Sequence, residues 1–439
     1  MGRYKQYRLD RNKVKLLSAL VIVLIIAAIG TYLLVSSHAA TPFTSTTAAS
    51  GTLANGAASC PDTAASKGSS VVFQQSVPMD GTVALGLSCP GTPFTASSFW
   101  NTPLPASTPV NTNNAAYLNV IAYDICYAAP VTSAPPPTCS TTYHGGINTA
   151  SYSAPLYVVP ASQPLLSVTR GCAGIDTGTP TPSAVFNNAV AGGVPVPADA
   201  HAAAGTDEHI QIYQPSTNKY WEFWRFQKDT NGNWDACWGG LIDPVSGSDG
   251  IFPSDTGGTA TSLPLLGGIP RIEELQAGQI NHVMGLDLGN VASGDLASNV
   301  IPANTPGATS GVSWPATRTD GQSTYNLAIP EGLRFRLNPS LDLNTLDLTP
   351  LAKTIAVAAQ KYGFVVDDSG PQPGAGIRVG DPTTYTSAGL PNPYTSGPGV
   401  GGVGNSGLFD GVTQGAILNN FPWNQLEALP FNYGEPSGT

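Results

Sequence analysis

One segment, residues 207–226, combines ionisable and aromatic side chains at a spacing that could place them in a single site. It consists of two alternating runs, 209–213 and 220–226, joined by a turn-forming stretch that contains Pro, Ser and Asn. This pattern is typical of a β-hairpin. Because side chains alternate between the two faces of a strand, the hairpin is expected to have one polar and one apolar face.

The register of the hairpin decides which of these side chains meet. We predict a polar face with three cross-strand pairs and one added carboxylate: Tyr213 with Tyr220, Gln211 with Glu222, His209 with Trp224, and Asp207 beside them. The opposite face would carry Ile210, Ile212, Trp221 and Phe223 and would pack into the core. The polar face then resembles a sugar-binding cleft, in which carboxylates lie next to aromatic rings.

Glycoside hydrolysis is the first chemistry that this face suggests. It typically uses two carboxyl groups across the scissile bond, one of which its surroundings keep protonated. Glu222 lies between two aromatic neighbours, so we expect its pKa to be raised. Glu222 and Asp207 are the candidate catalytic pair, and His209 is a candidate proton-transfer or orienting group. The candidate substrate-binding residues are Gln211, Tyr213, Tyr220 and Trp224.

His282 is a further candidate for the same site. It precedes an apolar strand predicted at 283–288, and a short helix predicted at 272–276 ends at Gly278. That arrangement could deliver the imidazole to a sheet edge, where it could act as an acid, a base or an orienting group. We therefore predict that His282 shares a solvent-reachable groove with His209, Gln211 and Glu222.

Two other functions fit the same residue types. A non-catalytic lectin or adhesin would use the aromatic face for binding alone, with Glu222 as a structural carboxylate. A jelly-roll polysaccharide lyase would use His or Tyr to remove a proton beside a uronate carboxyl that Gln and Arg neutralise. The acidic charge of the chain disfavours a polyanionic substrate. Hydrolysis is preferred, and both alternatives stay open.

No cofactor is expected. The sequence lacks a Walker loop, a dinucleotide fingerprint, His-Glu-x-x-His and Gly-x-Ser-x-Gly. The loop that contains Asp243, Asp249 and Asp255 offers oxygen ligands without EF-hand spacing, so a structural calcium ion is left as an alternative. We predict no metal among the catalytic residues.

The amino-terminal region predicts export. Residues 1–15 carry six basic side chains and one acidic side chain, a net charge of +5, and an uncharged apolar run follows at 16–35. Such a run can span a bilayer with its basic end inside. Residues 1–38 are therefore interpreted as a signal anchor, or as a signal peptide for which Ser37-His38-Ala39 could be the cleavage site.

Charge and cysteine content agree with export. The whole chain carries −10, so the residues after the +5 segment carry −15, which argues against nucleic acid as a partner. Six cysteines without a Cys-x-x-Cys pair favour disulfides over a zinc site. Sequence proximity suggests the pairs Cys60–Cys89, Cys126–Cys139 and Cys172–Cys237, among fifteen possible pairings. The expected partners are a polysaccharide or cell-surface glycan and, through the anchor, a membrane.

Composition divides the remainder into a linker and one large domain. Residues 39–92 read as a low-complexity linker with a small disulfide-stapled stretch, and residues 93–439 as the main β-rich domain. Gly and Pro make up a fifth of the chain, which suits an all-β fold, a jelly roll or a β-sandwich, with a few peripheral helices. A second helix is predicted at 349–362, and the Gly- and Pro-rich tail, 369–416, is expected to lack regular structure.

Several motifs resemble an uncharacterised family of exported, actinobacterial-type proteins. They are Trp100-Asn101-Thr102-Pro103-Leu104-Pro105, Gly205-Thr206-Asp207-Glu208-His209, Tyr220-Trp221-Glu222-Phe223-Trp224 and Pro330-Glu331-Gly332-Leu333-Arg334-Phe335-Arg336-Leu337. With the other matching segments they span about residues 98–425. The resemblance implies one coherent exported domain and implies no particular reaction.

The anchor prediction can be tested by fractionation. We expect the full chain to be found with membranes and a truncated chain that begins near residue 41 to be soluble, because only the former keeps the apolar run. Immunoblotting of membrane and soluble fractions measures this. Finding the mature protein mainly in the medium, with Ala39 or Ala40 at its amino terminus, would show instead that the segment is a cleaved signal.

Overall fold

The computed structural model describes residues 57–61, 69–73, 92–126, 145–171, 183–294, 312–370 and 374–436. The chain divides into two compact units, residues 1–73 and 74–439. In the first unit, β1 (Ala57–Pro61) and β2 (Ser69–Phe73) form an antiparallel ribbon. The second unit contains the remaining described elements.

The predicted hairpin lies at the centre of a four-stranded sheet. Its strands are β4 (Leu156–Val158), β6 (Ile210–Gln214), β7 (Lys219–Trp224) and β10 (Trp238–Ile242), in the order β10-β7-β6-β4. The pair β6/β7 is antiparallel, with Tyr213 opposite Tyr220, Gln211 opposite Glu222 and Ile212 opposite Trp221. The predicted register is therefore confirmed for these pairs.

A six-stranded mixed sheet forms the largest layer. Its strands are β3 (Gly146–Asn148), β11 (Met284–Leu288), β12 (Arg334–Leu337), β13 (Phe364–Ser369), β14 (Ala375–Arg378) and β15 (Leu426–Ala428). The order is β15-β12-β13-β11-β14-β3. The pairs β11/β13 and β14/β3 are parallel, and the other pairs are antiparallel. The carboxyl ends of β11 and β13 consequently lie at the same edge.

Short elements complete the second unit. A three-stranded sheet has the order β5-β9-β8 and contains β5 (Val168–Arg170), β8 (Gln227–Lys228) and β9 (Trp234–Ala236). The α-helices are α1 (Asn114–Cys126), α2 (Ser183–Val190), α3 (Leu265–Gly268), α4 (Ile272–Ala277), α5 (Pro350–Lys361) and α6 (Thr383–Thr386). Both helices expected from the sequence, α4 and α5, are present. The protein is thus mainly β with a few helices, as predicted.

The end signals of α5 explain its boundaries. Thr349 Oγ1 accepts a hydrogen bond from the backbone N–H of Ala352, which satisfies one of the free donors of the first turn. Pro350 occupies the first turn, where no backbone donor is needed. Gly363 follows with a φ of 82°, a left-handed conformation that ends the helix. The apolar side of the helix packs into the core of the six-stranded sheet.

Three apolar clusters show how the layers meet. Alternating residues of β13 point to opposite sides, with Phe364 and Val366 in the cluster under α5 and Val365 in a second cluster. That second cluster also contains Tyr213 and Tyr220 of the hairpin, so it is shared by the two larger sheets. The other face of the hairpin contributes to a third cluster, with α2 and the three-stranded sheet. Both faces of the hairpin are therefore covered.

Two predictions concern residues that the structure does not describe. Within the described ranges, no helix is long and apolar enough to cross a membrane, and the predicted anchor at 16–35 lies outside them. Cys237 is disulfide-bonded, but Cys172, its predicted partner, also lies outside the described residues. The anchor and the disulfide pairing therefore remain predictions.

The hairpin register can be tested by one substitution. Ile212 is fully buried in the cluster shared with α2, so Ile212→Asp places a carboxylate in an apolar environment. We expect the free energy of unfolding to fall by about 3 kcal/mol or more. Urea denaturation measures this, with Ser216→Asp in the exposed turn as a matched control that should stay within about 0.5 kcal/mol of the original chain. Equal stability of the two variants would contradict the register.

Candidate functional site

The polar face of the hairpin is not a groove. His209 and Gln211 are each 2% exposed, and Glu222 is fully buried. A segment that we call the covering loop, residues 256–266, lies over this face and donates two backbone hydrogen bonds to the Glu222 carboxylate. They run from Gly258 and from Leu265, each at 2.7 Å. The prediction that these side chains line a solvent-reachable groove is wrong, because a loop without sequence periodicity covers them.

Glu222 is the centre of a closed hydrogen-bond network. Tyr220 Oη lies 2.5 Å from Glu222 Oε2 and 2.9 Å from Gln211 Oε1, and Gln211 Nε2 donates to the carbonyl of Ala154. Burial raises the pKa of Glu222 to about 7, against the hydrogen bonds from Tyr220, Leu265 and Gly258. The raised pKa was expected from the sequence, but its main cause is burial under the covering loop. Glu222 therefore has partners and no access to substrate.

His209 is neutral and has one free ring nitrogen. Its Nε2 lies 2.9 Å from the carbonyl oxygen of Gly258, and since a carbonyl only accepts, Nε2 must carry the proton. Nδ1 then has a lone pair, and it has no hydrogen-bond partner. Burial lowers the pKa of His209 to about 4, although the charge of Asp207 works in the opposite direction. This histidine positions the covering loop.

Gly258 lies between these two side chains and has no room for a larger residue. A Cβ at this position would lie 2.9 Å from Glu222 Oε1 and 3.2 Å from His209 Cδ2. The close approach lets the backbone of Gly258 serve both partners at once, through its N–H and its carbonyl. The structure thus brings His209, Gln211, Tyr220 and Glu222 together as a buried support for the loop.

His282 has different partners. Its Nδ1 lies 2.7 Å from the carbonyl of Val283, and its Nε2 lies 3.1 Å from Glu274 Oε2 in α4. Arg271 also pairs with this carboxylate, at 3.4 Å. The imidazole therefore links α4 to the start of β11, and none of its hydrogen bonds reaches Glu222 or His209.

The remaining sequence candidates differ in exposure. Tyr213 is buried in the cluster between the two larger sheets. Asp207 and Trp224 are half-buried, and Trp224 Nε1 lies 3.3 Å from Asp207 Oδ1. Arg225 stacks on Trp224 with its guanidinium carbon 5.2 Å from the ring centroid. Asp207 and Trp224 are the members of the predicted site that reach solvent.

A second group of charged residues lies where β11 and β13 end. Arg378 of β14 forms ion pairs with three carboxylates, Asp287 of β11 and Asp367 and Asp368 of β13, each at 3.0 Å. Asp367 is buried, whereas the side chains of Asp287 and Asp368 are 12% and 17% exposed. Polar residues at the carboxyl ends of the parallel strands β11 and β13 meet at one edge, the edge at which open, mostly parallel α/β sheets bind ligands.

Burial and mutual repulsion act on these acids. Burial raises the pKa of Asp287 and that of Asp368, while the Arg378 guanidinium lowers both. Burial alone would lower the pKa of Arg378, but the three carboxylates raise that pKa by more than burial lowers it. One guanidinium cannot neutralise three carboxylates, so the folded protein has a reason to keep a proton or bind a cation here.

The charged group extends to the predicted site. The charge of Asp207 raises the pKa of Asp287, and that of Asp320 raises the pKa of Asp368 and of Glu331. Arg318 lies among the same carboxylates. We call the six acids the acidic centre; they are Asp207, Asp287, Asp320, Glu331, Asp367 and Asp368.

The covering loop connects the acidic centre with the hairpin. Thr261 Oγ1 donates to the carbonyl of Asp367 at 2.9 Å, and Arg318 Nε donates to Ser262 Oγ at 3.1 Å. The same loop holds Glu222 and His209 through Gly258. Glu222 and His209 therefore hold one end of the covering loop through Gly258. Thr261 and Ser262 of the same loop contact residues of the acidic centre and Arg318.

Sequence reasoning missed five of the six acids and Arg378. One signal was available for two of them, since Asp367 and Asp368 follow the apolar run 364–366 and precede Gly370. Acids directly after a buried strand are a recognisable pattern for a site at a sheet edge. Arg378 has no such signal, because it lies in the Gly- and Pro-rich tail that was expected to lack strands.

A small cavity elsewhere is too small to hold a sugar. It has a volume of about 30 Å³ and is lined in part by Gln211, Glu273, Asp381 and Tyr385. Ligand pockets are typically about 300–1,000 Å³, whereas this volume holds about two water molecules. Asp381 lies in its lining, and the cavity does not provide a substrate site.

The buried state of Glu222 predicts a pH-dependent stability. Because its folded pKa is above its ordinary value, the folded chain binds this proton more tightly, and stability is lost as pH rises from about 4.5 through about 7. We expect Glu222→Gln to reduce the loss between pH 5 and pH 8 by up to about 3 kcal/mol. Urea denaturation at both pH values measures this, with exposed Asp347→Asn as the control. An unchanged pH dependence in Glu222→Gln would assign the proton to another group.

Comparisons with known proteins add no constraint to this site. The chain matches no protein-family model, no curated protein and no solved structure. The resemblance to exported actinobacterial-type proteins therefore remains an expectation from the quoted motifs. The assignment of a function rests on the geometry of the chain's own residues.

Proposed function

We propose that the chain is an exported, surface-tethered carbohydrate-active enzyme that cleaves a polysaccharide by hydrolysis, with its reacting carboxyl groups in the acidic centre. One observation carries this proposal. The charge of the half-buried Asp207 acts on Asp287, whose side chain is 12% exposed at the edge where the parallel strands β11 and β13 end. Asp287 takes the place of Glu222 as a reacting group. Glu222 is fully buried, and its oxygens already accept three hydrogen bonds.

The two carboxyl groups have environments that suit different roles. Asp287 is the more buried, and burial raises its pKa to about 7 despite the ion pair with Arg378, so it is the candidate acid that protonates the leaving oxygen. Asp207 is more exposed and is oriented by Trp224, so it is the candidate base or nucleophile. Asp207 keeps the role that the sequence suggested, and Asp287 takes that of Glu222.

The surroundings supply positioning groups. Arg378 fixes the Asp287 carboxylate, and the covering loop, supported by His209, Gln211, Tyr220 and Glu222, borders the same edge. Trp224 is half-buried beside Asp207 and can offer part of its ring to a sugar face. His282 is not a reacting group in this proposal, because it is fully buried and forms a hydrogen bond with Glu274.

The sign of the local charge supports hydrolysis over elimination. A lyase must neutralise a uronate carboxyl with cationic or amide groups. In the acidic centre six carboxylates face two guanidinium groups, those of Arg318 and Arg378, and both already have partners. A polyanionic substrate would be repelled, so the preferred substrate is a neutral polysaccharide or cell-surface glycan.

The finer architecture belongs to the same proposal. We infer a β-sandwich in which the four- and six-stranded sheets face each other, because the cluster with Tyr213, Tyr220 and Val365 draws on both. The parallel pairs β11/β13 and β4/β6 do not occur in an antiparallel jelly roll. The sandwich is therefore preferred over the jelly roll.

The proposal predicts which substitutions abolish turnover. We expect Asp287→Asn and Asp207→Asn each to reduce kcat by about 10²–10⁴-fold, since each removes a proton-transfer or nucleophilic group. The measurement is release of reducing ends from a panel of neutral cell-wall and plant polysaccharides. The exposed Asp347→Asn serves as the matched control and should keep full activity.

Two results would contradict the proposed hydrolase function. A loss of turnover in Glu222→Gln at unchanged stability, with Asp287→Asn fully active, would return the acid to the hairpin. Binding of a glycan without release of reducing ends, in the original chain and in all variants, would favour the lectin function instead.

A further inference from the structure

Asp320, Glu331 and Asp368 form a compact group within the acidic centre. One carboxylate oxygen from each residue lies within 4.8 Å of the others. Asp320 is exposed, Asp368 is half-buried and Glu331 is buried, so the group leads from solvent to the interior. Three converging carboxylates alone do not make a binding site, and the group needs a second feature that points to a ligand.

Glu331 provides that feature. Its side chain is fully buried, and neither of its carboxylate oxygens has a hydrogen-bond partner. Burial and the charge of Asp320 raise its pKa well above the usual range, and the weaker opposing interactions with Thr319 and the backbone of Asp320 fall short of hydrogen-bond geometry. A buried carboxylate without partners costs several kcal/mol unless a cation or a proton neutralises it.

The neighbouring arginines leave this carboxylate unsatisfied. Arg318 donates to Ser262 Oγ and to the carbonyl of Thr259, so its hydrogen bonds go to the covering loop. Arg378 pairs with Asp368 through Oδ2, which leaves Oδ1 of Asp368 available. The ion pairs of Arg378 and the hydrogen bonds of Arg318 therefore go to other groups, although Arg318 is near enough to interact electrostatically with Glu331.

We propose that Asp320, Glu331 and Asp368 bind a calcium ion. Carboxylate oxygens are the ligands of hard divalent cations. Two ligands of one ion can be separated by at most twice the metal–oxygen distance, about 4.6–5.2 Å for Ca²⁺ but only about 4.0–4.2 Å for Mg²⁺. The three oxygens lie within 4.8 Å of one another, a separation that one Ca²⁺ ion can bridge. Water and backbone carbonyls would complete the six to eight ligands of Ca²⁺.

This site differs from the calcium alternative that the sequence suggested. In that loop, Asp243 pairs with Lys219 at 2.9 Å, and Asp249 Oδ1 accepts from the backbone of Ile251 at 3.0 Å. Those oxygens therefore already have partners. The inference also stands apart from the proposed hydrolysis, since it concerns a bound ion and its effect on stability.

The experiment measures the melting temperature and calcium binding of the full-length chain. After chelator treatment, CaCl₂ is titrated to about 10 mM, above the Kd of about 10⁻⁴–10⁻³ M that is common for extracellular modules. We expect a saturable rise in Tm of about 5 °C at a hundredfold excess over Kd, together with 1:1 binding by calorimetry. MgCl₂ at the same concentration should have a clearly smaller effect.

Substitutions at the proposed ligands test whether calcium binds at this site or elsewhere in the chain. Glu331→Gln removes the buried charge at nearly constant shape, so we expect a higher Tm without calcium and no further rise with it. Asp320→Asn is exposed, so folding should be unaffected while calcium binding weakens at least tenfold. Asp249→Asn is the matched control and should respond like the original chain.

Three outcomes would overturn the proposal. They are no Tm response of the original chain to CaCl₂, an equal response to MgCl₂, and a full calcium response in both Glu331→Gln and Asp320→Asn. Each can be distinguished from failure of the proposed hydrolysis, because none of these measurements involves a polysaccharide.

Discussion

The shared ion pair of Arg378 with Asp287, Asp367 and Asp368 is the interaction on which the edge of the large sheet depends. It joins three adjacent strands, β14, β11 and β13, at the point where their backbone pairing ends. Removing one partner of a buried ion pair typically costs about 3–5 kcal/mol, although replacing all partners by apolar residues can be neutral or stabilising. A network with more acids than bases is therefore poorly explained by stability alone, which is why the proposals above place a site there.

Local patterns in the sequence were sufficient for the hairpin and for α5. The period-two alternation on either side of a Pro- and Asn-containing turn leaves one register that keeps Ile210 and Ile212 together with Trp221 on one face. For α5, Thr349 and Gly363 mark the ends through capping and left-handed backbone geometry, both of which depend on neighbouring residues. Such features can be predicted because the interactions that decide them lie within a few residues.

The position of the acidic centre could not be predicted in this way. Arg378 and Asp287 are far apart in the chain, and β14 forms by pairing with β11 on one side and with β3 on the other. The covering loop is equally non-local, since its Gly258 is placed by Glu222 and His209 on the hairpin. For that reason the sequence identified the polar residues of the hairpin correctly as a group but assigned them to solvent.

These two long-range arrangements are linked physically, and the link explains why both sets of residues are polar. Glu222 and His209 bind the backbone of the covering loop, which in turn binds the backbone of Asp367 through Thr261. A shift of the hairpin would therefore be transmitted to the strand that carries the carboxylates. Because hydrogen bonds between buried polar groups restrict their arrangement, the hairpin residues constrain the covering loop and, through it, the strand that carries Asp367.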